Sequence, residues 1–361
     1  LSSIAVVSAS RSAMNDASFQ DWCLRITFMV SLVLLVISVY LRTKLAESPT
    51  FQGMKAAGKL SKSPISESFG KWENLKYVLI MLFSTASGVG VVFGTGHFYS
   101  MYFLQNTLKV APDTVSMYLA IALVCVFPFY LVFGWLSDRI GRKWIMMTAC
   151  LLLALTTQPI FHALTHYANP ELERFQKTSP VTVHADDCHF SLFAAPRSEC
   201  DRIRSFLSAS GVSYQQVPLQ AGQVSATAIG DMTVHGSDKS DLERALLATG
   251  WVRHADPLQI NAPAVVFLMW LLIVYLAMVY GPMAAFMVEL FPARIRYTSL
   301  SLPFHLGSGW FGGMLPFVVS AMAVENGNVY FGLWYPIVIA VVSLIVGVLF
   351  VPETFRRDIS Q

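Results

Sequence analysis

Charge is what this chain has least of. Asp, Glu, Lys and Arg make up 13% of its 361 residues, roughly half the share usual in soluble domains. Hydrophobic residues make up 55%, and the mean hydropathy is +0.54. That balance excludes a cytosolic enzyme and a disordered chain. A net charge of +3 gives no footprint for a nucleic acid. Five cysteines are too few for a disulfide scaffold. A glycine-rich phosphate loop after a strand is lacking, so no nucleotide cofactor is expected, and none of another kind. The basic start and cleavage site of a secretory signal are also lacking. The first apolar stretch, Leu1–Ala9, is too short to span a bilayer. This reading therefore expects a fragment, cut within a helix and inactive by itself.

Long uncharged runs are what is present. Seven follow: Cys23–Leu41, Tyr77–Gln105, Ser116–Leu136, Trp144–His166, Pro263–Phe291, Thr298–Val324 and Tyr330–Val351. Each is long enough to cross a hydrocarbon layer of about 30 Å as a helix. Their middles hold no acidic or basic residue, and Arg25 and Glu289 fall near ends, where side chains reach the interface. The chain thus reads as an all-α polytopic membrane protein in contact with lipid. The loop after the first run carries Arg42, Lys44, Lys55, Lys59, Lys62, Lys71 and Lys76, whereas the next carries only Lys109. The loop after the third run has Arg139, Arg142 and Lys143, the loop after the fifth has Arg294 and Arg296, and the tail has Arg356 and Arg357. Such alternation puts the basic loops and the C-terminus in the cytoplasm.

Residues 167–259 differ. They hold eight basic and eleven acidic side chains and are too long for a structureless connection. A small α/β extracytoplasmic insert is expected. Ile203, Phe206 and Leu207 before Gly211, and Leu242, Leu246 and Leu247 before Gly250, read as helices with glycine C-caps. Val212–Leu219 and Gln223–Val234 read as strands. Cys188 and Cys200 are the insert's two cysteines and are expected to pair on an oxidising side. The rival is a metal site built from His184, Cys188, His189 and Cys200, whose spacing matches no standard zinc pattern.

The densest motif is Gly134-Trp-Leu-Ser-Asp138-Arg139-Ile-Gly141-Arg142-Lys143, in a short loop between two spans. Gly134 permits close helix approach, Asp138 can pair with Arg142 or accept from a helix N-terminus, and Gly141 permits a tight turn. This segment resembles the signature loop of the major facilitator superfamily, in its second-half copy. Leu45–Phe51, Glu289-Leu-Phe-Pro292-Ala-Arg294-Ile-Arg296, Ser301–Gly313 and Val351-Pro-Glu353-Thr354 are similar to the metabolite:proton symporter branch. The resemblance implies a partial major facilitator fold. Residues 1–9 would be the end of helix five, 10–41 a loop and helix six, and 42–76 the central cytoplasmic loop. Residues 77–166 would be helices seven to nine, 260–351 helices ten to twelve, and 352–361 a cytoplasmic tail. It also implies a plasma-membrane secondary transporter, monomeric when complete, that takes a small organic solute such as an organic acid or betaine together with protons. Gly134, Asp138, Arg139, Gly141, Arg142 and Lys143 would gate the cytoplasmic side, with Glu289, Pro292, Arg294 and Arg296 in a second loop motif.

Polar groups inside a membrane mark solute paths. Thr95, His97, Tyr99 and Tyr102 are candidates in the second run, with Thr95, Tyr99 and Tyr102 spaced to share a face. Tyr275 and Tyr280 are candidates near Pro282, and His305 lies one turn into the next run. Packing and interfacial anchoring are the alternative explanation for these residues, and for His305 a structural hydrogen bond. The other functions weighed are a membrane sensor, a degenerate carrier remnant, and an enzyme acting through His184, Asp186, Asp187 and His189. The topology is testable with single cysteines probed from outside intact cells. A thiol at residue 220 should react and one at residue 138 should stay shielded; the reverse pattern would invert the arrangement.

Overall fold

The computed structural model describes residues 16–44, 52–53, 56–58, 61, 63–189, 196–219 and 225–354. The Leu1–Ala9 stretch, the Leu45–Phe51 motif, and Arg356 with Arg357 lie outside the described residues.

Among the described residues six helices are long and apolar enough to cross a membrane, and each contains one of the seven expected runs almost whole. They are α3 (Trp72–Thr107), α4 (Pro112–Ile140), α5 (Arg142–Ala168), α9 (Ala262–Leu290), α10 (Arg296–Asn326) and α11 (Phe331–Phe350). The first run lies in α1 (Asp16–Lys44), whose side chains from Ser31 to Lys44 are all exposed. A short helix, α2 (Pro64–Gly70), precedes α3. α5 and α9 run antiparallel: Tyr167 O at the end of α5 accepts from Asn261 N–H at the start of α9, and Arg142 at the start of α5 meets Glu289 at the end of α9. α9 packs mainly on α4 and α5, α11 on α5 and α3, and α3 on α10.

Glycine decides how close the helices come, because lipid offers apolar side chains no advantage in meeting one another. A Cβ on Gly90 of α3 would stand 2.6 Å from the carbonyl of Gly307 in α10, and one on Gly94 would stand 2.9 Å from that of Gly312. A Cβ on Gly281 of α9 would lie 2.9 Å from the amide of Gly134 in α4. Both α3 and α10 widen into π-helical turns near the first crossing, at Gly94–Tyr99 and Gly307–Gly313. Wide turns are frequent at functional positions. The hydroxyl of Ser308 donates to the carbonyl of Phe304 at 2.6 Å, a back-bond that loosens helical pairing.

Between α5 and α9 sits the expected small α/β unit. Asn169 caps α6 (Pro170–Thr178) by accepting from Leu172 N–H. Then come β1 (Val181–His184), α7 (Glu199–Ala209), β2 (Gln215–Val217), β3 (Ala226–Ile229), β4 (Met232–His235) and α8 (Lys239–Ala248). The sheet order is β2-β1-β3-β4, with β1 parallel to β2 across α7 and antiparallel to β3. Both expected helices are there, followed by Gly211 (φ 72°) and Gly250 (φ 96°) in left-handed backbone. The single strand expected at Gln223–Val234 divides at Gly230-Asp231, where Gly230 takes φ 56° and closes a two-residue hairpin. β1 and α6 were not expected: four alternating residues and one polar turn make weak periodic signals.

Cys188 and Cys200 form a disulfide with Cα atoms 5.0 Å apart, and among the described residues no group of three metal-ligating side chains gathers. Beside it, Ser198 and Asp201 form a reciprocal capping box on α7. Burial alone would raise the Asp201 pKa. The N–H groups of His189, Ser198 and Arg197, with the Ser198 hydroxyl, outweigh it and hold the carboxyl below its ordinary value.

The helix crossing makes a direct prediction. Gly90→Ala should lower the thermal stability of the detergent-solubilised protein by about 1–3 kcal/mol through overpacking. Gly309→Ala, where nothing stands within 4 Å, should leave the melting temperature unchanged.

Candidate functional site

Asp138, Arg142 and Lys143 of the Gly134–Lys143 motif gather at the end of the bundle opposite the insert. Gly141, at φ 103° and ψ 154°, turns the chain sharply from α4 into α5. A Cβ there would stand 2.6 Å from Glu353 Oε2, so glycine is required both by the backbone and by the space. The Arg142 guanidinium donates twice to Glu289 of α9, through Nε at 2.7 Å and Nη2 at 2.6 Å. Its Nη1 lies 3.1 Å from Asp138 Oδ1. Arg142 and Glu289 are 12% and 13% exposed, whereas Asp138 is 65% exposed. The forked bond to Glu289 therefore carries most of the interaction, since an exposed pair is weakened by water. Glu289, near the end of its span, turns its carboxylate inward to Arg142, which meets both of its oxygens.

α5 and the segment after α11 cap one another. The Glu353 carboxylate accepts from Arg142 N–H at 3.0 Å and Lys143 N–H at 3.2 Å, occupying the positive N-terminus of α5. In return Lys143 Nζ donates to the carbonyls of Val348 and Val351, each at 2.8 Å, at the C-terminal end of α11. Arg139 takes no part and lies over the Trp135 ring at 3.9 Å. In the second loop motif, Arg294 pairs with Glu67 at 2.7 Å, and Arg296 Nε donates to Phe291 O at 3.0 Å. Pro292 is exposed and its carbonyl accepts from Ile295 N–H at 3.2 Å.

The membrane-interior candidates do not form one surface. Thr95 is fully buried, and its hydroxyl has no hydrogen-bond partner among the described residues. Tyr99 is also buried, with its ring against Tyr102 of its own helix and Phe161 of α5. Tyr102 is half-exposed beside it. Tyr275 is buried and shares a 3.2 Å hydrogen bond with Thr156 of α5. His97 stacks on Phe93 at 5.6 Å between centroids, and Phe93 lies 6.2 Å from Tyr280 of α9. Sequence spacing thus placed His97 off the shared face, yet the fold brings His97 and Tyr280 together through Phe93. His305 is exposed on α10 beside Phe304, away from that cluster.

Glu353 and Glu67 carried no assigned role in the sequence. Glu353 sat within a tail motif, and only the return of α11 to α5 reveals what its carboxylate accepts. Glu67 had no signal beyond lying in a basic loop.

Several curated solute transporters are similar to this chain. It is 31% identical over 172 residues to the alpha-ketoglutarate permease of Escherichia coli (strain K12), covering 47% of this chain and 38% of that protein. It is 27% identical over 169 residues to the proline/betaine transporter of the same strain, covering 41% and 31%. It is 28% identical over 172 residues to that strain's inner membrane metabolite transport protein YhjE, covering 44% and 36%. The match spans about a third of the length of these relatives. No protein-family profile matches the chain, and no solved structure does. All three relatives are transporters rather than enzymes by name, in agreement with the major facilitator resemblance of the motifs. With six helices among the described residues long and apolar enough to cross a membrane, the chain is a multi-pass membrane protein.

The paired charges can be tested as a unit. Glu289→Gln should destabilise the protein by about 2–3 kcal/mol, the cost of weakening a charge-assisted bond in a mostly buried place. Arg142→Lys should cost a similar amount, because an ammonium cannot make the forked contact. Asp138→Asn should cost less than 1 kcal/mol. Thermal melts of the three variants give this ranking.

Proposed function

We propose that this chain is part of a secondary active transporter, running from the end of its helix five to helix twelve, that moves a small organic solute, an organic acid or a betaine, together with protons. The two halves of the whole protein rock about a central site. The insert faces outward, and the Arg142 cluster faces the cytoplasm with the C-terminus, in the inner membrane. The observation that carries the reading is the Arg142 cluster. One guanidinium joins the loop between α4 and α5 to the end of α9, while Glu353 ties the same loop to α11. The transporter relatives and the match of the apolar runs to helices support it.

The cluster acts as a clamp. Its bonds hold the cytoplasmic ends of α4, α5, α9 and α11 as one plate. Asp138 and Arg139, both exposed at its rim, are placed to meet the other half when the cytoplasmic side is shut. The solute path runs along the side of α3 and α9 that carries His97 and Tyr280. The spans contain no carboxylate in their middles, so the principal proton acceptor of the carrier lies outside them, and His97 and His305 assist.

Uptake of labelled alpha-ketoglutarate, proline and glycine betaine by cells expressing the full reading frame tests the function. One of the three should accumulate, and a protonophore should abolish the accumulation. Arg142→Gln should slow exchange about tenfold, equivalent to 1.4 kcal/mol on the limiting step, with a smaller loss in Asp138→Asn. Correctly inserted protein that accumulates none of the three would overturn the reading. Exchange rates unchanged in both variants would remove the clamp.

A further inference from the structure

Helices α3 and α10 are joined at three levels. At the end opposite the insert, Arg294 before α10 pairs with Glu67 before α3 at 2.7 Å. The buried hydroxyls of Ser299 and Ser68 share a hydrogen bond of 2.8 Å. In the middle, Gly90 and Gly94 lie against the backbone of Gly307 and Gly312.

At the third level the insert does the joining. The carbonyls that end a helix have no partner within it, and here the insert supplies donors to both helix ends. At the end of α3, Asn169 Nδ2 donates to Leu108 O at 3.0 Å and Ala255 N–H donates to Lys109 O at 3.1 Å. Gly211, in left-handed backbone, packs directly on the Thr107 carbonyl. At the end of α10, Arg204 donates to Val324 O at 3.2 Å and to Glu325 O at 2.8 Å, and pairs with Glu325 Oε2 at 2.5 Å. The Tyr214 hydroxyl donates to Val324 O, and Tyr214 N–H donates to Gly327 O at 2.7 Å. Arg204 is only 3% exposed. A buried cation set on helix-ending carbonyls complements the negative pole of α10, and it is fixed in place by a forked donor geometry.

We propose that the insert is a brace: it clamps the outer ends of α3 and α10 at one spacing, so that the pair moves as a single rigid body. α3 has wide, loosely paired turns at Gly94–Tyr99 and Phe103–Thr107, which make it the span best able to bend on its own. The brace grips it immediately beyond the second of these turns and removes that freedom. The brace stands independently of any transport activity. Within the carrier reading, its consequence is that the outer side opens by rocking of the α3–α10 unit and not by bending of α3.

Distances between spin labels at Asn106→Cys and Asn326→Cys, both exposed positions, test the proposal in the full chain. Cys23, Cys125 and Cys150 are replaced by alanine for this purpose. The parent should give one narrow distance, with and without candidate solute. Arg204→Met combined with Tyr214→Phe should lose that single distance and give a broad distribution. Glu325→Gln, which keeps the backbone acceptors, should broaden it less. Retention of the Cys188–Cys200 bridge, read as two thiols unreactive to maleimide, reports that the insert stays folded. If the double variant fails to fold, Glu325→Gln decides: broadening supports the brace and a parent-like width overturns it. A broad parent distribution, or a folded double variant as narrow as the parent, also overturns it. Failure of the carrier reading would appear differently, as absent uptake with the narrow distance intact.

Discussion

The structure turns on the bidentate bond between Arg142 and Glu289. Both groups lie at a helix end and both are mostly withdrawn from water. Either one left alone there would carry an uncompensated charge, so the two hold each other in place. The bond also fixes the backbone of the Gly141 turn, which presents the amides of Arg142 and Lys143 to Glu353. Four spans thereby share one point of attachment. The same loop leaves Asp138 exposed at its rim, an arrangement suited to a contact that forms and breaks.

The rest of the bundle is assembled by a different force. Lipid gives apolar side chains no reason to prefer one another, so helix contacts depend on close backbone approach and on scarce hydrogen bonds. The glycine crossing of α3 with α10, and that of α4 with α9 at Gly134 and Gly281, supply the first. The Ser87–Ser343 pair at 2.9 Å and the Ser68–Ser299 pair supply the second. In the insert the ordinary rules of water return. Its helices bury Ile203, Leu207, Leu242 and Leu246 beside a four-stranded sheet, leaving Leu247 exposed, and its caps are side chains of Ser198, Asp238 and Asn169. One chain thus uses two packing chemistries. The helix-ending carbonyls of α3 and α10, met by Asn169, Arg204 and Tyr214, are where they join.

Much of this was legible in order. The apolar runs predicted the spans because a bilayer leaves a backbone little choice but a helix. Two of the insert's three described helices, α7 and α8, were readable from apolar spacing and a following glycine. β1 and α6 were not, since Val181–His184 and Pro170–Thr178 each offer too few residues for a period to show. Within the site, Asp138 with Arg142 was readable as a neighbouring pair. Glu289 and Glu353 lie 147 and 211 residues from Arg142, and no local pattern connects residues so far apart.

The sequence by itself determined the medium, the order of the six apolar spans from α3 to α11, the place of the polar insert between them, and the turn at Gly141. These follow from properties carried by single residues or short windows: apolarity, charge, and freedom of backbone. Tertiary structure alone decided that Glu289 turns inward, that Glu353 and Lys143 exchange caps, that Tyr99 packs against Phe161 while His97 meets Tyr280 through Phe93, and that Arg204 closes the end of α10. Each of those depends on which helix lies beside which. Helix neighbours are chosen by the sum of many weak backbone contacts across the bundle, a quantity that no single stretch of sequence contains.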